Sequence, residues 1–322
     1  MLVALSATFH PRELLITDAK LRYLVEAAAL GSMRAASDKL DVAVSSVSRQ
    51  IANLESELGL LLIERGRRSI KLTEAGELAL RYYRESLAHR EALDSSFQAL
   101  RGLRAGNIQL AIGEGFVAAV SLLLQKFLNN NSGVLLSVTT AATLDVIRHV
   151  VDDEAHIGLV FQAPADPKLS VRCSIPQPIN LIVHPEHHLA KLPSVTLKQL
   201  ADHRLCMTES GFRIRQIISM AETQERISVT SRIVTNSLQL LREMVKSGDY
   251  VTLMPDVAAF SELENRELVS IPVESSALQS TSVNLVTRLG RALPVAPAAL
   301  LPILERAMRT LNRARPALKP RA

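Results

Sequence analysis

The chain has 322 residues, 48% of them hydrophobic and 21% charged, which is enough for two or three packed domains and excludes a largely disordered protein. The net charge of +5 is compatible with an anionic partner, although much of the excess lies near the C-terminus. Two cysteines, no metal-ligand spacing and no apolar stretch of membrane-spanning length argue against a disulfide-rich secreted protein, a metalloprotein and a membrane protein. We therefore expect a cytoplasmic protein that needs no metal or other cofactor.

Three short helical patterns follow an N-terminal extension, residues 1–17. From Asp18 the apolar residues recur at intervals of three and four until Gly31, as in a helix that ends at a glycine. Ser32 is a suitable N-cap for a second short helix. A third helix follows after a turn and ends at Gly59. The pattern predicts three short, packed helices.

A basic hairpin is predicted directly after the third helix. Residues 60–63 and 69–72 are β-prone, and the turn between them is rich in arginine. Three short helices and a basic hairpin are typical of a winged helix-turn-helix, which we place at residues 18–76. In such a domain the third helix enters the major groove, where Arg, Asn and Gln side chains contact base edges. The wing contacts phosphates or the minor groove.

The predicted DNA contacts are mostly polar residues of the second helix, the third helix and the wing. They are Ser32, Arg34, Val44, Ser45, Ser46, Ser48, Arg49, Gln50, Asn53, Arg65, Arg67 and Arg68. Taken alone, the polar face of the third helix is more simply the solvated face of an amphipathic helix. The adjacent basic wing favours double-stranded DNA as its partner.

A long helix is predicted after the wing. Thr73 caps it, and its apolar stripes change phase near Arg90 and Glu91. Residues 73–105 would then form a linker helix with few apolar neighbours in the sequence to cover it. We expect this helix to dimerise with the same helix of a second copy.

Strands and helices alternate beyond the linker, which predicts an α/β domain at residues 107–313 and a mobile tail at 314–322. The first strands and helices form a βαβαβ pattern and hence a mostly parallel sheet. The predicted strands lie at 108–112, 134–139, 157–161, 180–183, 204–207, 229–234, 251–254 and 282–287, and the predicted helices at 117–129, 143–153, 212–222, 237–247 and 298–312.

Distinctive short motifs accompany these elements. They are Gly31-Ser32, Val47-Ser48-Arg49-Gln50-Ile51, Leu54-Glu55, Glu57-Leu58-Gly59, Arg65, Leu72-Thr73-Glu74-Ala75-Gly76, Leu103-Arg104-Ala105-Gly106, His184-Pro185 and the segment 245–255. In this combination the chain resembles the LysR-type transcriptional regulators along nearly its whole length after the extension. The resemblance implies a homodimer or a dimer of dimers that binds an interrupted palindrome and acts with RNA polymerase. It also implies a periplasmic-binding-protein-like effector domain, with lobe I at about 107–176 and 280–313 and lobe II at about 177–279.

Two positions of the third helix depart from the family pattern. Ala43 stands where the family usually has a helix-capping Ser or Thr, so the helix loses a side-chain cap or begins at Asp41. Val44 stands where a polar residue often contacts a base, and a valine there can instead contact a thymine methyl group. These departures concern the operator sequence and leave the expectation of DNA binding unchanged.

The resemblance places a small-molecule effector between the two lobes, at strand ends and helix N-termini. Free N–H groups at such helix ends suit a carboxylate. The corresponding positions in this chain are Gly113, Glu114, Gly115, Phe116, Phe161, Thr208, Glu209, Ser210, Arg213, Asn236, Ser237, Met254 and Pro255.

Several of these effector positions have a simpler structural interpretation. Asn236 and Ser237 equally suit plain N-capping of a helix, and a tight turn explains the two glycines. Phe161 suits packing better than recognition. Glu114 and Arg213 either hold a small amino or hydroxy acid from opposite lobes, or are solvated, or pair with each other.

Oxidant sensing is disfavoured by the positions of the cysteines. Arg213 stands where some family members carry a redox-sensing cysteine, and Cys206 lies within a predicted strand. Cys206 is therefore better explained as a small buried apolar residue.

Two other classes of function explain the sequence less well. An enzyme would need a nucleophile elbow, a phosphate-binding glycine loop, a metal cluster or a nucleotide fingerprint, and the sequence has none of these motifs. A solute-binding protein would share the α/β pattern, but it would have no use for a helix-turn-helix and would need an export signal. We therefore predict a sequence-specific DNA-binding regulator that is controlled by a small molecule, such as a small carboxylate.

Overall fold

The computed structural model describes residues 17–64, 69–100 and 105–313, and the chain divides into two compact units between Arg90 and Glu91. The extension, the C-terminal tail and the predicted wing contacts Arg65, Arg67 and Arg68 lie outside the described residues. No helix within the described ranges is long and apolar enough to cross a membrane.

The first unit is helical. Its helices are α1 (Asp18–Ala29), α2 (Met33–Leu40), α3 (Val44–Leu58) and the first part of α4 (Glu74–Leu100). The apolar positions of these helices meet in one core, whose fully or nearly buried members are Leu21, Leu24, Ala27, Ala36, Val47, Ile51, Leu54, Leu62 and Tyr83. This packing of amphipathic faces, rather than helix propensity, stabilises such short helices.

Caps and left-handed residues separate the helices as the sequence predicts. The Ser32 hydroxyl accepts the N–H of Ala35 at the start of α2, 3.4 Å away. Gly59 adopts a φ of 67° directly after α3, a conformation that only glycine adopts without strain. Ala43 precedes α3 without any side-chain cap, so the predicted loss of the family's usual cap is confirmed.

The hairpin after α3 is shorter than predicted. The segments 60–63 and 69–72 contribute a single antiparallel bridge, between Ile63 and Leu72, instead of two strands. Two backbone hydrogen bonds flank the bridge, from Glu64 to Lys71 and from Thr73 to Leu62, and side chains satisfy other backbone groups nearby. The Glu55 carboxylate accepts the N–H groups of Leu62 and Ile63 at 2.7 and 3.2 Å, and the Thr73 hydroxyl donates to the carbonyl of Leu61 at 2.6 Å. The same hydroxyl accepts an N–H of α4, as predicted for its cap.

The second unit contains two five-stranded mixed sheets. We call the part of this unit built on the first sheet lobe I and the part built on the second sheet lobe II. Lobe I has the strand order β2-β1-β3-β10-β4 and lobe II the order β7-β6-β8-β5-β9. The strands are β1 (Ala105–Ile112), β2 (Gly133–Thr140), β3 (Ile157–Phe161), β4 (Leu169–Pro176), β5 (Ile179–Val183), β6 (Leu205–Thr208), β7 (Ser231–Thr235), β8 (Val251–Pro255), β9 (Val269–Ile271) and β10 (Ser282–Arg288).

Helices cover both sheets. They are α5 (Val117–Asn129), α6 (Thr143–Val151), α7 (Leu197–Leu200), α8 (Arg213–Glu225), α9 (Leu238–Lys246), α10 (Phe260–Glu264), α11 (Ser276–Gln279) and α12 (Val295–Arg313). The N-terminal winged helix-turn-helix and the C-terminal two-lobed α/β arrangement confirm the predicted fold class.

The prediction of a mostly parallel sheet is only partly right. Strands β1, β2 and β3 are parallel, as are β6, β7 and β8, but β10 and β4 in lobe I and β5 and β9 in lobe II run antiparallel to their neighbours. The sequence prediction missed β4 and β9. In β4 several residues are exposed, and β9 has three residues, so neither shows a clear apolar pattern.

Two chain crossings join the lobes, and they are hydrogen-bonded to each other. The N–H of Gln177 donates to the carbonyl of Thr281 at 2.9 Å, and the Thr281 hydroxyl donates to the carbonyl of Gln177 at 2.6 Å. Apolar side chains from both lobes continue through this region as one buried cluster. The carboxyl ends of the parallel strands of both lobes are the edges at which ligands of such sheets bind.

Candidate DNA-binding and effector-binding sites

The solvent-facing side of α3 carries small and hydrogen-bonding residues. The exposed residues of α3 are Val44, Ser45, Ser48, Arg49, Ala52, Asn53, Ser56 and Glu57, and Ser45, Ser48, Arg49, Ala52 and Asn53 recur at helical spacing. The opposite side of the helix is buried in the core of the first unit. Small residues around a single guanidinium allow close approach to a groove, and the guanidinium matches the acceptors of a guanine.

The remaining predicted DNA contacts lie around this face. Ser46 and Gln50 are half-buried at its edges, Val44 is 44% exposed at the start of α3, and Arg34 is exposed on α2. Ser32 is engaged in its capping hydrogen bond, so its first role is structural. All five are in the helix-turn-helix itself.

Ion pairs brace the helices behind this face. Lys20 of α1 lies 2.7 Å from Glu57 of α3, and Arg90 of α4 lies 2.5 Å from Asp18 of α1. Exposed pairs of this kind add little stability individually. They hold α1 between the recognition helix and the long helix.

The N-terminus of α9 in lobe II binds a carboxylate of the chain itself. Glu114, in the turn after β1 in lobe I, accepts the N–H of Leu238 at 3.1 Å and that of Gln239 at 3.0 Å. The Ser237 hydroxyl accepts the N–H of Leu240 at 3.2 Å, so the predicted capping role of Ser237 is present. An anion at a helix N-terminus is stabilised by free N–H groups and by the helix dipole.

Gly115 lies beside Glu114, where the lobes approach closely. A Cβ at this position would come within 2.9 Å of the Cβ of Ala258 in lobe II. Gly113 has no positive φ, and a Cβ there would lie 3.3 Å from the ring of Phe116. Close packing at Gly115, more than turn conformation, therefore requires a glycine.

Several buried polar atoms of lobe II have no hydrogen-bond partner within the described part of the chain. Thr208 is 3% exposed at the end of β6, and its Oγ1 has no hydrogen-bond partner within the described residues. The same holds for Nε of Arg213 and Oγ of Ser275. Another nitrogen of Arg213 donates to Gln216 at 3.2 Å. Unsatisfied buried polar atoms are costly, and a ligand is one way to satisfy them.

The other predicted effector residues divide into core and surface positions. Phe116, Phe161, Met254 and Pro255 are buried, three of them within the apolar cluster that the lobes share. Glu209, Ser210 and Asn236 are exposed at the carboxyl ends of β6 and β7. Glu114 and Arg213 form no ion pair with each other in the described part of the chain.

Profiles of two protein families match the two parts of the chain. "Bacterial regulatory helix-turn-helix protein, lysR family" matches residues 19–77, and "LysR substrate binding domain" matches residues 101–309. The chain belongs to the LysR family of transcriptional regulators. It is therefore a DNA-binding transcription regulator with an effector-binding domain, not an enzyme.

Relatives of similar length and solved structures agree with this assignment. CbbR of Rhodospirillum rubrum is 25% identical to this LysR-type regulator over 301 residues, which cover 94% of the chain and 97% of CbbR. The RuBisCO operon transcriptional regulator of Allochromatium vinosum is 24% identical over 255 residues, 79% of this chain and 84% of that protein.

Two solved full-length structures have the same fold. A variant of OxyR from Pseudomonas aeruginosa has a TM-score of 0.65 at 18% identity and covers 91% of this chain and 95% of its own. CbnR in complex with its target DNA has a TM-score of 0.54 at 20% identity and covers 91% of this chain and 100% of its own.

A polar network lies at the end of β3 in this LysR-type regulator, at Gln162, which directly follows the predicted effector residue Phe161. Gln162 has a φ of 50°, and its side-chain oxygen accepts the N–H of Ser282 at 2.9 Å. Asn284 accepts the N–H of Ala163 at 2.9 Å and donates to Ser174 at 2.9 Å. The signal in the sequence was an asparagine within the otherwise apolar centre of β10.

The two thiols of the regulator are both buried. Burial raises the pKa of Cys206 to about 11, and its Sγ lies 3.5 Å from the carbonyl oxygen of Val251. Cys173 is a buried residue of β4 in lobe I. The environment of Cys206 does not favour a reactive thiolate.

Proposed function

We propose that this LysR-type regulator recognises a specific duplex sequence through α3 and responds, in the cytoplasm, to a small molecule bound between lobe I and lobe II. The observation that carries the DNA-reading part is the exposed face of α3, with Arg49 among small residues. Selection from a pool of random duplexes tests it. Enrichment of an interrupted palindrome supports the proposal, and recovery of no common sequence contradicts it.

Dimerisation through α4 is the second part of the proposal. Large apolar side chains of α4 remain exposed in the single chain, namely Leu78, Tyr82, Leu87, Leu93, Phe97 and Leu100. Exposed apolar side chains along one long helix are typical of a surface that another helix covers. A second copy of α4 is the occupant we propose, because a palindromic site needs two recognition helices. The assembled dimer would then act on RNA polymerase.

Sedimentation of the full chain tests the dimer. Leu93→Glu places a charge within the exposed apolar residues of α4 and should shift the protein towards monomer. Leu122→Glu is the matched control, since Leu122 is 68% exposed on α5 and Leu93 is 53% exposed. Equal dimerisation of both variants and the wild type would contradict the role of α4.

The effector we propose is a small molecule with a carboxylate. Arg213 supplies a guanidinium whose Nε is buried and has no partner among the residues that the structure describes, and the same is true of the hydroxyl groups of Thr208 and Ser275. A charge-assisted hydrogen bond to Arg213 would compensate for burial of the ligand's charge. The helix α11, which begins after Ser275, packs against α8, which begins at Arg213.

Calorimetry with a panel of small carboxylic acids tests the effector. Binding that is lost in Arg213→Ala and kept in Arg232→Ala supports the proposal, because Arg232 is an exposed residue of β7 with the same charge. Binding of a neutral apolar molecule that is insensitive to Arg213→Ala would contradict it.

A further inference from the structure

The contact between Glu114 and α9 joins the two lobes through a carboxylate. One carboxylate oxygen of Glu114 accepts the N–H of Leu238, and the other accepts the N–H of Gln239. The Ser237 hydroxyl accepts the N–H of Leu240, the next residue of the helix. The amino end of α9 is therefore fully satisfied from within the chain. A half-buried carboxylate that lacks an ion pair with Arg213 has its charge compensated mainly by these groups.

This contact depends on how closely the lobes approach. The turn at 114–116 lies against the segment 256–259 of lobe II so tightly that a Cβ on Gly115 would collide with Ala258. Glu114 reaches α9 only while this packing persists. The hydrogen bonds therefore stabilise one arrangement of the lobes over others.

An independent feature at the same sheet edge indicates a ligand. Thr208 at the end of β6 pairs in register with Thr235 at the end of β7, and α9 begins shortly after Thr235. The Thr208 hydroxyl is buried, and no partner for it exists within the described ranges. The hydroxyl of Thr235, the register partner of Thr208, accepts the N–H of Ser237 at 3.1 Å, so the strand pair that carries the unpartnered hydroxyl leads directly into the start of α9, and a larger ligand would use both.

We propose that the amino end of α9 is an oxyanion site which the chain occupies with Glu114 in the effector-free state, and that an oxyanion effector binds by displacing this carboxylate. Displacement removes a link between the lobes, so binding and lobe rearrangement are coupled. This inference rests on the proposed function, because it concerns the same cleft.

Competition sets the expected affinities. A tethered carboxylate acts at an effective concentration of roughly millimolar or above, which a free anion must exceed. Simple anions should therefore bind the wild type weakly. Removal of Glu114 should raise the affinity for such an anion by at least about tenfold.

The test uses inorganic sulfate with the full chain, at constant ionic strength maintained with chloride. Calorimetry and hydrogen exchange of a peptide that contains Leu238 and Gln239 are measured for the wild type, Glu114→Ala and Glu114→Gln. Glu243→Ala is the control, because Glu243 is an exposed carboxylate on α9 itself. We expect hydrogen exchange at this peptide to be faster in Glu114→Ala than in the wild type. Sulfate should slow this exchange in Glu114→Ala in a saturable way, at concentrations that do not slow it in the wild type or in Glu243→Ala. The isosteric Glu114→Gln should also gain sulfate affinity while it retains the fold.

Two outcomes would overturn the inference. Unchanged exchange in Glu114→Ala would mean that the carboxylate does not protect α9, and sulfate affinity equal to that of the wild type in both Glu114 variants would mean that it does not occupy an anion site. Binding of the selected duplex is measured in parallel. If neither the wild type nor any of the variants binds the selected duplex specifically, the proposed function is contradicted. The sulfate measurements still decide whether Glu114 occupies an anion site.

Discussion

The Nε2 atom of His156 lies 3.1 Å from a carboxylate oxygen of Glu91, which joins α4 to the loop before β3. The other oxygen of Glu91 lies 3.2 Å from Arg291. Nδ1 of His156 accepts the N–H of Gln109 at 2.9 Å, so Nε2 is the nitrogen that carries a proton towards Glu91. The contact lies within the second unit, where it holds the C-terminal part of α4.

The Glu91 contact predicts an acid-sensitive stability. The hydrogen bond that His156 donates and the charge of Arg291 hold the pKa of Glu91 below its usual 4.5. The unfolded chain therefore takes up this proton at a higher pH than the folded chain, so the stabilisation is complete above about pH 4.5 and is lost as the pH falls further.

Urea unfolding at pH 7 and pH 4 measures this effect. Glu91→Gln should lose less stability between the two pH values than the wild type. Glu264→Gln should behave like the wild type, because Glu264 is an exposed carboxylate of α10. Equal losses in Glu91→Gln and the wild type would contradict the assignment.

Arg49 should determine base preference. Arg49→Ala should weaken binding to the selected duplex by about 1–3 kcal/mol and relax the preference at one base pair, while binding to random DNA changes little. Fluorescence anisotropy against the selected and scrambled duplexes measures both. Arg232→Ala removes the same charge from the second unit and should leave both affinities unchanged. An Arg49→Ala protein with undiminished specificity would exclude α3 as the reading helix.

Elements with strong local signals could be predicted almost residue by residue. Helix α5 has the predicted bounds, 117–129, and strand β3 has the predicted bounds, 157–161. Both are bordered by turn residues and have many apolar residues, so local pattern and tertiary burial agree. The cap by Ser32 is equally local, since donor and acceptor are three residues apart.

The interactions of the predicted effector residues could not be deduced from the sequence. Glu114 contacts amides more than a hundred positions later in the chain, at Leu238 and Gln239, and no local pattern encodes that pairing. The sequence prediction left Glu114 either free to bind a ligand, solvated or paired with Arg213. The unsatisfied hydroxyl of Thr208 depends likewise on which groups the folded lobes bring near it.

Gly76 should be intolerant of alanine even though it lies in a helix. Gly→Ala within a helix usually stabilises a protein by about 1 kcal/mol. At Gly76, however, a Cβ would lie 2.1 Å from the carbonyl oxygen of Leu62, a backbone atom of the hairpin. We expect Gly76→Ala to destabilise the first unit by roughly 1–3 kcal/mol, because helix and hairpin must move apart.

Tyrosine absorbance during thermal unfolding reports on Gly76→Ala, since Tyr23, Tyr82 and Tyr83 lie in the first unit and the chain has no tryptophan. Gly211→Ala is the control, because a Cβ there meets open space. The control should change the stability by no more than about 0.5 kcal/mol. A stabilised Gly76→Ala protein would show that the contact with Leu62 is not as tight as described.

Cys206 should be unreactive in the folded protein. Burial raises its pKa to about 11, so only about one thiol in ten thousand is ionised at pH 7, and the side chain is fully buried. We expect no alkylation of Cys206 by iodoacetamide in the native protein and rapid alkylation in urea. Peptide mass spectrometry resolves the two cysteines. The double variant Cys173→Ala, Cys206→Ala should bind the selected duplex with the same affinity as the wild type, before and after exposure to peroxide. A peroxide effect that is present in the wild type and absent in the double variant would instead make a buried thiol the sensor, and would require the protein to open locally around β4 or β6.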